Sequence, residues 1–451
     1  MDLFKVQLGK SATVNRWPLK PLEDVVEDVL DRRGVTPLKL GSTFKASGNR
    51  VISAKVIKGR TIDLSAGEPR FVDDTTYAKW MRTPLAAGDV ILTSEAPLGE
   101  VAFLSQKVDW CLGQRLFAIR ANRRVLDGRF LYYALQSSGV QNDILSRASG
   151  TTVHGIRQSE LRRVLLPVPP LSEQRAIAGI LGALDDKIEL NRKMSETLEA
   201  MARALFKSWF VDFDPVRAKA VGRDPGLAPE IAALFPDSFE DSELGEIPKG
   251  WMTKNVEDVA SISRKTVNPL EYPQETFEHY SIPAYDANRG ATVEVGAAIR
   301  SSKFLVLQES ILLSRLNPRT PRIGVPSPSG KHRAICSTEF AVMRPAMYSK
   351  EWLYCLVSSE QFCDTFASMV TGTSGSHQRV KPESLLAMPV ISPPKSVVEA
   401  FTKIVDPLLK RIAFVRSESR TLAALRDALL PKLISGEIRV SDADRIVERA
   451  L

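Results

Sequence analysis

Cysteine and histidine are scarce in this chain, four of each among 451 residues. Cys111, Cys336, Cys355 and Cys363 form no Cys-x-x-Cys pair. His332 stands near Cys336 and could suggest a metal site with Cys355 and Cys363, but the spacings fit no familiar zinc pattern. Reduced, partly buried thiols are the simpler reading. Long apolar runs are missing too, and no stretch has transmembrane length. Met1-Asp2-Leu3-Phe4-Lys5 lacks the basic-then-apolar layout of a secretion signal. The expectation is a cytoplasmic protein with no membrane partner.

Catalytic signatures are also lacking. Adenine methylation needs an Asn/Asp-Pro-Pro-aromatic loop and a donor-binding glycine motif. Asp214-Pro215-Val216, Asn268-Pro269-Leu270 and Asn317-Pro318-Arg319 have neither the second proline nor the aromatic. The Gly324 to Gly330-Lys331 segment is one residue too long for a phosphate loop, and His332 stands where Ser or Thr would bind magnesium. His154, His279, His332 and His377 show no nucleophile partner and no metal spacing. These absences favour binding over catalysis.

What is present is a normal folded composition, 44% hydrophobic and 25% charged, with a formal charge of +8. The excess suits phosphate attraction but is modest for this length. The length itself calls for two or more domains.

An internal repeat organises the chain. Leu131-Tyr132, Gly150-Thr151-Thr152 and Pro167-Val168 match Leu353-Tyr354, Gly372-Thr373-Ser374 and Pro389-Val390 at a constant shift of 222 (131 to 353, 150 to 372, 167 to 389). Phe117-Ala118-Ile119 resembles Phe340-Ala341-Val342, and Val90-Ile91-Leu92 resembles Ile311-Leu312-Leu313. Each of the latter runs leads into a Pro-containing loop and a Gly-marked second strand, near Gly99 and Gly324. Both halves open on a tryptophan, Trp17 or Trp251, followed by Leu22-Glu23-Asp24-Val25 or Val256-Glu257-Asp258-Val259.

Each half stops at a proline pair and gives way to a long helix. After Pro169-Pro170, Ser172 is placed as N-cap and Glu173 in the first turn. Ile177, Leu184, Leu198 and Leu205 recur every seven residues with Asn191 in the gap, and Leu181, Ile188, Met194 and Met201 widen the stripe. About 38 residues would span roughly 57 Å at 1.5 Å per residue. Asn191 fits either a buried residue that fixes register or the rim of the seam. After Pro393-Pro394, the series Leu408, Val415, Leu422 and Leu429 marks a second helix, with a kink or break expected at Pro407. Two such seams can bury each other antiparallel.

The predicted fold is α+β. Two similar domains, small mixed sheets with helices, are separated by two long helices packed as an antiparallel coiled coil in a pseudo-two-fold repeat. The boundaries are 1–171, 172–211 for the first helix, 212–250 for a Pro/Gly-rich connection, 251–394, and 395–451 for the second helix and tail.

Several stretches carry a family resemblance. They are Leu166-Pro167-Val168-Pro169-Pro170-Leu171-Ser172-Glu173-Gln174-Arg175, Lys187-Ile188-Glu189-Leu190-Asn191, and Ser208-Trp209-Phe210-Val211-Asp212-Phe213-Asp214-Pro215. Ser242-Glu243-Leu244-Gly245-Glu246-Ile247-Pro248-Lys249-Gly250-Trp251 and Leu430-Pro431-Lys432-Leu433-Ile434-Ser435-Gly436 complete the set. Together they resemble the specificity subunit of type I restriction-modification systems, and the likeness covers nearly the whole chain. Pro393-Pro394-Lys395-Ser396 departs from it, replacing the Ser-Glu-Gln-Arg entry of the first helix.

The resemblance implies a non-catalytic subunit that reads a split double-stranded DNA site, one domain per half. It implies that the helices set the spacer and dock two methyltransferase subunits, which restriction subunits join. No cofactor is then bound by this chain, and S-adenosylmethionine belongs to the partner methyltransferase. A self-contained DNA-modifying enzyme and a coiled-coil scaffold without a DNA role are the competing readings.

Two features suit DNA contact. The first is a matched loop pair, with Thr151, Thr152, His154, Arg157 and Gln158 in one half and Thr373, Ser374, His377 and Arg379 in the other. Hydroxyls, glycine amides, His and Arg meet phosphates, and Arg or Gln reads base edges; a turn capping the next helix is the alternative. The second is the basic loop carrying Arg315, Asn317, Arg319 and Arg322, which could also be a solvated surface loop. Lys45, Asn49, Arg50, Lys55, Lys58 and Arg60 fit either a phosphate-contacting patch or a charged strand face.

Overall fold

A computed structural model describes residues 17–150, 154–288, 290–370 and 378–450. The chain divides into two compact units, one running up to Leu190 and resuming at Glu418, the other spanning Asn191–Ser417.

The same plan is built twice. In the first unit a four-stranded antiparallel sheet has the order Val26–Asp31, Leu116–Ala121, Val90–Ser94, Leu98–Phe103. In the second unit the order is Ala260–Ser263, Phe340–Pro345, Ile311–Ser314, Ile323–Gly324. A short antiparallel pair ties the start of each domain to its end, Leu19–Pro21 with Leu165–Pro167 and Met252–Asn255 with Pro389–Ser392. Each domain adds a second sheet, three-stranded in the first and five-stranded in the second, that contains one parallel pairing, Asn49–Ile52 with Cys111–Leu112 or Thr276–Tyr280 with Arg333–Cys336.

The hydrophobic strand runs follow from burial on both faces. Val90, Leu92, Phe117 and Ile119 face the helices, whereas Ile91, Leu116 and Ala118 face the second sheet. In the second unit Ile311, Leu313, Ala341 and Met343 take the first role, and Leu312, Phe340 and Val342 the second.

The two long helices are Leu171–Phe210, 40 residues, and Lys395–Ser435, 41 residues. They run antiparallel within each unit. In the first unit Ile177, Leu181 and Leu184 share a core with Leu422, Leu425 and Leu429, and Asp185 and Lys187 pair with Arg426 and Glu418. In the second, the buried Asn191 donates its amide to the Val415 carbonyl at 3.4 Å, and Phe206 meets Phe401 edge-on. Asn191 therefore lies in the seam, not on its rim.

Four details differ from the sequence pattern. The first helix begins at Leu171, with the Gln174 amide donating to the Pro170 carbonyl, so Ser172 sits inside the first turn. Beyond Asn191 the buried face is Ser195, Glu199, Ala202, Phe206 and Trp209, while Leu198 and Leu205 are half-buried and Met201 is 52% exposed. An α-helix drifts about 20° per heptad, and small residues permit close approach without registering as hydrophobic. The second helix runs unbroken through Pro407, whose ring is exposed, so the carbonyl it frees can be solvated. The 212–250 segment is not a loose connection. It forms the helix Asp214–Ala220 and the hairpin Phe239–Ser242/Gly245–Pro248, and it buries Phe213, Val216, Phe235 and Ile247 in the second unit's core. No helix among the described residues is long and apolar enough to cross a membrane.

Candidate nucleic-acid interface

Each domain presents two loops that meet just beyond the end of one central strand. In the second domain the Ile311–Ser314 strand runs into the basic loop. Leu316 bridges Arg379, the Asn317 amide donates to the Gln378 carbonyl at 2.9 Å, and the Val380 amide donates to the Arg315 carbonyl at 3.1 Å. The two features singled out separately in the sequence are therefore one surface here. The first domain repeats the arrangement. Its Val90–Ser94 strand leads into Glu95, which bridges Gly155, and the Ile156 amide donates to the Ser94 carbonyl at 3.0 Å. Ser94 and Ser314 are both buried, and the residue before each loop proline, Ala96 or Asn317, is left-handed, with φ 47° and 49°.

The side chains on this shared frame differ. Arg315 donates to the Thr338 carbonyl at 2.8 Å, and burial lowers its pKa. Arg379 grips Glu339 through both its Nε and Nη2 at 2.8 and 2.7 Å, which raises its pKa. Arg322 is held in the same bidentate way by Asp286, at 2.7 and 3.0 Å. Arg319 is exposed on the loop tip. Asn317 turns the chain, its carbonyl accepting from the Thr320 amide at 2.9 Å.

In the first domain His154 and Arg157 are exposed, and Arg157 is the N-cap of the Gln158–Arg162 helix. The Gln158 amide instead donates to the Val29 carbonyl at 2.5 Å, a framework bond. Thr151, Thr152, Thr373, Ser374 and His377 lie outside the described residues.

Sequence reasoning missed an ion pair at this surface. Glu95 and Arg115 pair at 3.2 Å in the first domain, with the Ser94 amide donating to the Arg115 carbonyl. In the second domain Arg315 stands at the place of Ser94 and Glu339 at that of Arg115, the Arg315 amide donating to the Glu339 carbonyl, while Leu316 takes the place of Glu95. The Glu95–Arg115 pair therefore has no counterpart at the matching places, where Leu316 and Glu339 stand on a common backbone. Arg115 belongs to no motif, and only strand pairing brings it opposite Glu95.

The cysteines take no part. Cys111, Cys336 and Cys355 are buried, and burial pushes each thiol up to about 12. Among the described residues no group of three or more His, Cys, Asp or Glu side chains could hold a metal ion.

A twice-built domain with loop pairs on one frame defines a class of paired recognition modules. The family model described as the type I restriction modification DNA specificity domain matches residues 16–200. The type I restriction enzyme MjaIX specificity subunit of Methanocaldococcus jannaschii is 27% identical over 444 residues, covering 94% of each chain. The HindI specificity subunit of Haemophilus influenzae is 24% identical over 404 residues, 78% of this chain and 86% of that one. The crystal structure of a type I restriction-modification S subunit from M. genitalium superimposes with a TM-score of 0.55 at 16% identity, over 94% of this chain and 98% of that one, and shows the shared fold. Over most of its length the chain is similar to type I restriction enzyme specificity subunits.

Proposed function

We propose that this chain selects the DNA sites at which a type I restriction-modification complex acts, without performing the chemistry itself. The observation that carries this reading is the pair of loop surfaces built on one strand order but furnished with different charged side chains and different ion pairs. Two such surfaces suit two different half-sites, so the target is asymmetric and bipartite. Phosphate contacts fix register, and a few side chains read base edges. Arg157 and Arg319, exposed on their loops, are the readiest to contact DNA, together with His154. Arg315, Asn317, Arg322 and Arg379 shape the second surface through their bonds to Asp286, Glu339 and backbone carbonyls.

On this reading the long helices set the spacer and dock two methyltransferase subunits, with restriction subunits joining the assembly. The methyl donor, S-adenosylmethionine, is bound by the methyltransferase, and the complex works in the cytoplasm. Mapping methylated adenines across the genome with and without this chain tests the proposal. Loss of one asymmetric bipartite motif on deletion is expected. A palindromic motif would refute the two-surface reading, and methyl transfer by the purified chain alone would refute the non-catalytic one.

A further inference from the structure

The first domain holds a groove of about 530 Å³ between the Asn49–Ile52 strand, the loop around Val35–Pro37 and Phe44, the Ala66–Arg70 segment and the Gly113–Arg115 turn. Its titratable lining is Arg50, Lys55, Glu68, Arg70 and Arg115, four cations against one acid. Each cation is placed differently. Arg50 donates to the Leu64 carbonyl, which fixes its guanidinium in the wall. Arg70 lies over the ring of Phe44, 5.3 Å from its centroid, and Phe44 is itself 45% exposed. Lys55 is exposed. Arg115 stands at the lip, about half-exposed and paired at its Nε with Glu95.

The lip is built to a tight tolerance. The Gly113 amide donates to the Ile52 carbonyl at 2.9 Å, and a Cβ on Gly113 would lie 2.3 Å from that oxygen, so only glycine lets the turn close on the strand. Arg115 then takes the left-handed region, with φ 66°, a strained conformation for a non-glycine residue that concentrates at functional sites. Exposed Gln114 and Arg115 are thereby turned outward beside Ala96, which lines the groove and follows the Glu95–Gly155 bridge. The groove is thus continuous with the loop pair already described.

We propose that this groove is the first domain's main DNA-reading surface. Lys55 and Arg70 contact phosphates of one strand, and Gln114 and Arg115 read base edges. The inference rests on the recognition reading and adds the site that performs it for one half of the target. A guanidinium stacked on an aromatic ring, beside apolar walls and a second cation, matches a sugar-phosphate edge better than a free anion, which needs no open groove.

The test uses the full chain. Fluorescence anisotropy with a mixed-sequence DNA duplex gives the salt dependence, and selection from a randomised duplex library gives the motif. Lys55→Ala and Arg70→Ala are expected to weaken binding to all sequences alike and to lower the salt slope by about one each. Arg70→Lys should restore the slope. Gln114→Ala, and Arg115→Gly, which keeps the left-handed turn, should blur positions in one half of the motif and leave the other half sharp. If all these variants keep the parental slope and motif while the parent binds duplex in a salt-dependent way, the groove proposal is overturned and the recognition reading stands. If free nucleoside triphosphate displaces duplex from the parent but not from Arg70→Ala, the groove is a small-molecule site and the proposal fails. If the parent shows no salt-dependent duplex binding, the recognition reading itself falls.

Discussion

Phe401→Ala is expected to disrupt the second unit where its helices meet its recognition domain. Phe401 is fully buried, with ring centroids at 5.8 Å from Phe206, 6.0 Å from Trp209 and 5.1 Å from Phe210. Truncating a buried Phe costs about 3–5 kcal/mol, and aromatic pairs add about 0.5–1.5 kcal/mol each beyond burial. The pair energies are not additive, but three ring neighbours place the loss near the upper end, about 5 kcal/mol. For a unit of this size about 2–4 °C of melting temperature goes with each kcal/mol, so a fall of roughly 10–20 °C is expected. Tryptophan fluorescence reads this cluster directly, since Trp209, Trp251 and Trp352 all belong to its core. Urea titration of the parent, Phe401→Ala and Phe401→Leu should show a large loss for alanine and a smaller one for leucine. A loss for alanine within the roughly 0.5 kcal/mol typical of surface positions would refute the assignment of this residue as the keystone of the core.

Three further outcomes are expected. Gly182→Ala would ordinarily stabilise a helix interior by about 0.5–1 kcal/mol. Here the new Cβ would lie 2.6 Å from the Arg129 guanidinium carbon and displace Arg129 from the Gly182 carbonyl and Asp186, so thermal unfolding should show that gain cancelled. His279 is 8% exposed, and burial holds its pKa below the usual 6.5. The unfolded chain then binds the proton more readily, so stability is full above about pH 6.5 and is lost as pH falls below it. Urea midpoints measured between about pH 7.5 and 5.5 should shift less in His279→Gln than in the parent; equal shifts would contradict this. Finally, deleting Asn191–Thr197 together with Leu409–Val415 removes two helical turns, about 10 Å at 1.5 Å per residue, from each long helix. The methylation motif should keep both half-sequences and change its spacer by about three base pairs at roughly 3.4 Å each. An unchanged spacer would exclude the helices as its determinant.

Much of the architecture was legible because it rests on repeated local chemistry. The shift of 222 between Leu131-Tyr132 and Leu353-Tyr354 falls on corresponding helices, Gly128–Ala134 and Lys350–Val357. The proline pairs stop each domain where a sheet pairing ends. The runs Val90-Ile91-Leu92 and Ile311-Leu312-Leu313 announce central strands because both of their faces must be dry. The candidate site was only half legible. Arg315 and Arg379 were each visible as basic loop residues, but their proximity depends on a bridge between residues 63 apart, from Leu316 to Arg379.

The sequence by itself determined the duplication, the two long helices and the strand cores, since periodic burial of apolar side chains is written locally. The tertiary structure alone decided where the first helix turns its small residues Ser195 and Ala202 inward, and that the Pro/Gly-rich 212–250 segment surrenders Phe213, Phe235 and Ile247 to a core. It also decided that Arg115 pairs with Glu95 at the lip of a groove lined with Arg50 and Arg70. The physical reason is that charge and small size carry no periodic signal. A cation's partner, and hence whether it is spent on the frame or left for a ligand, is fixed only when distant strands and loops are brought together.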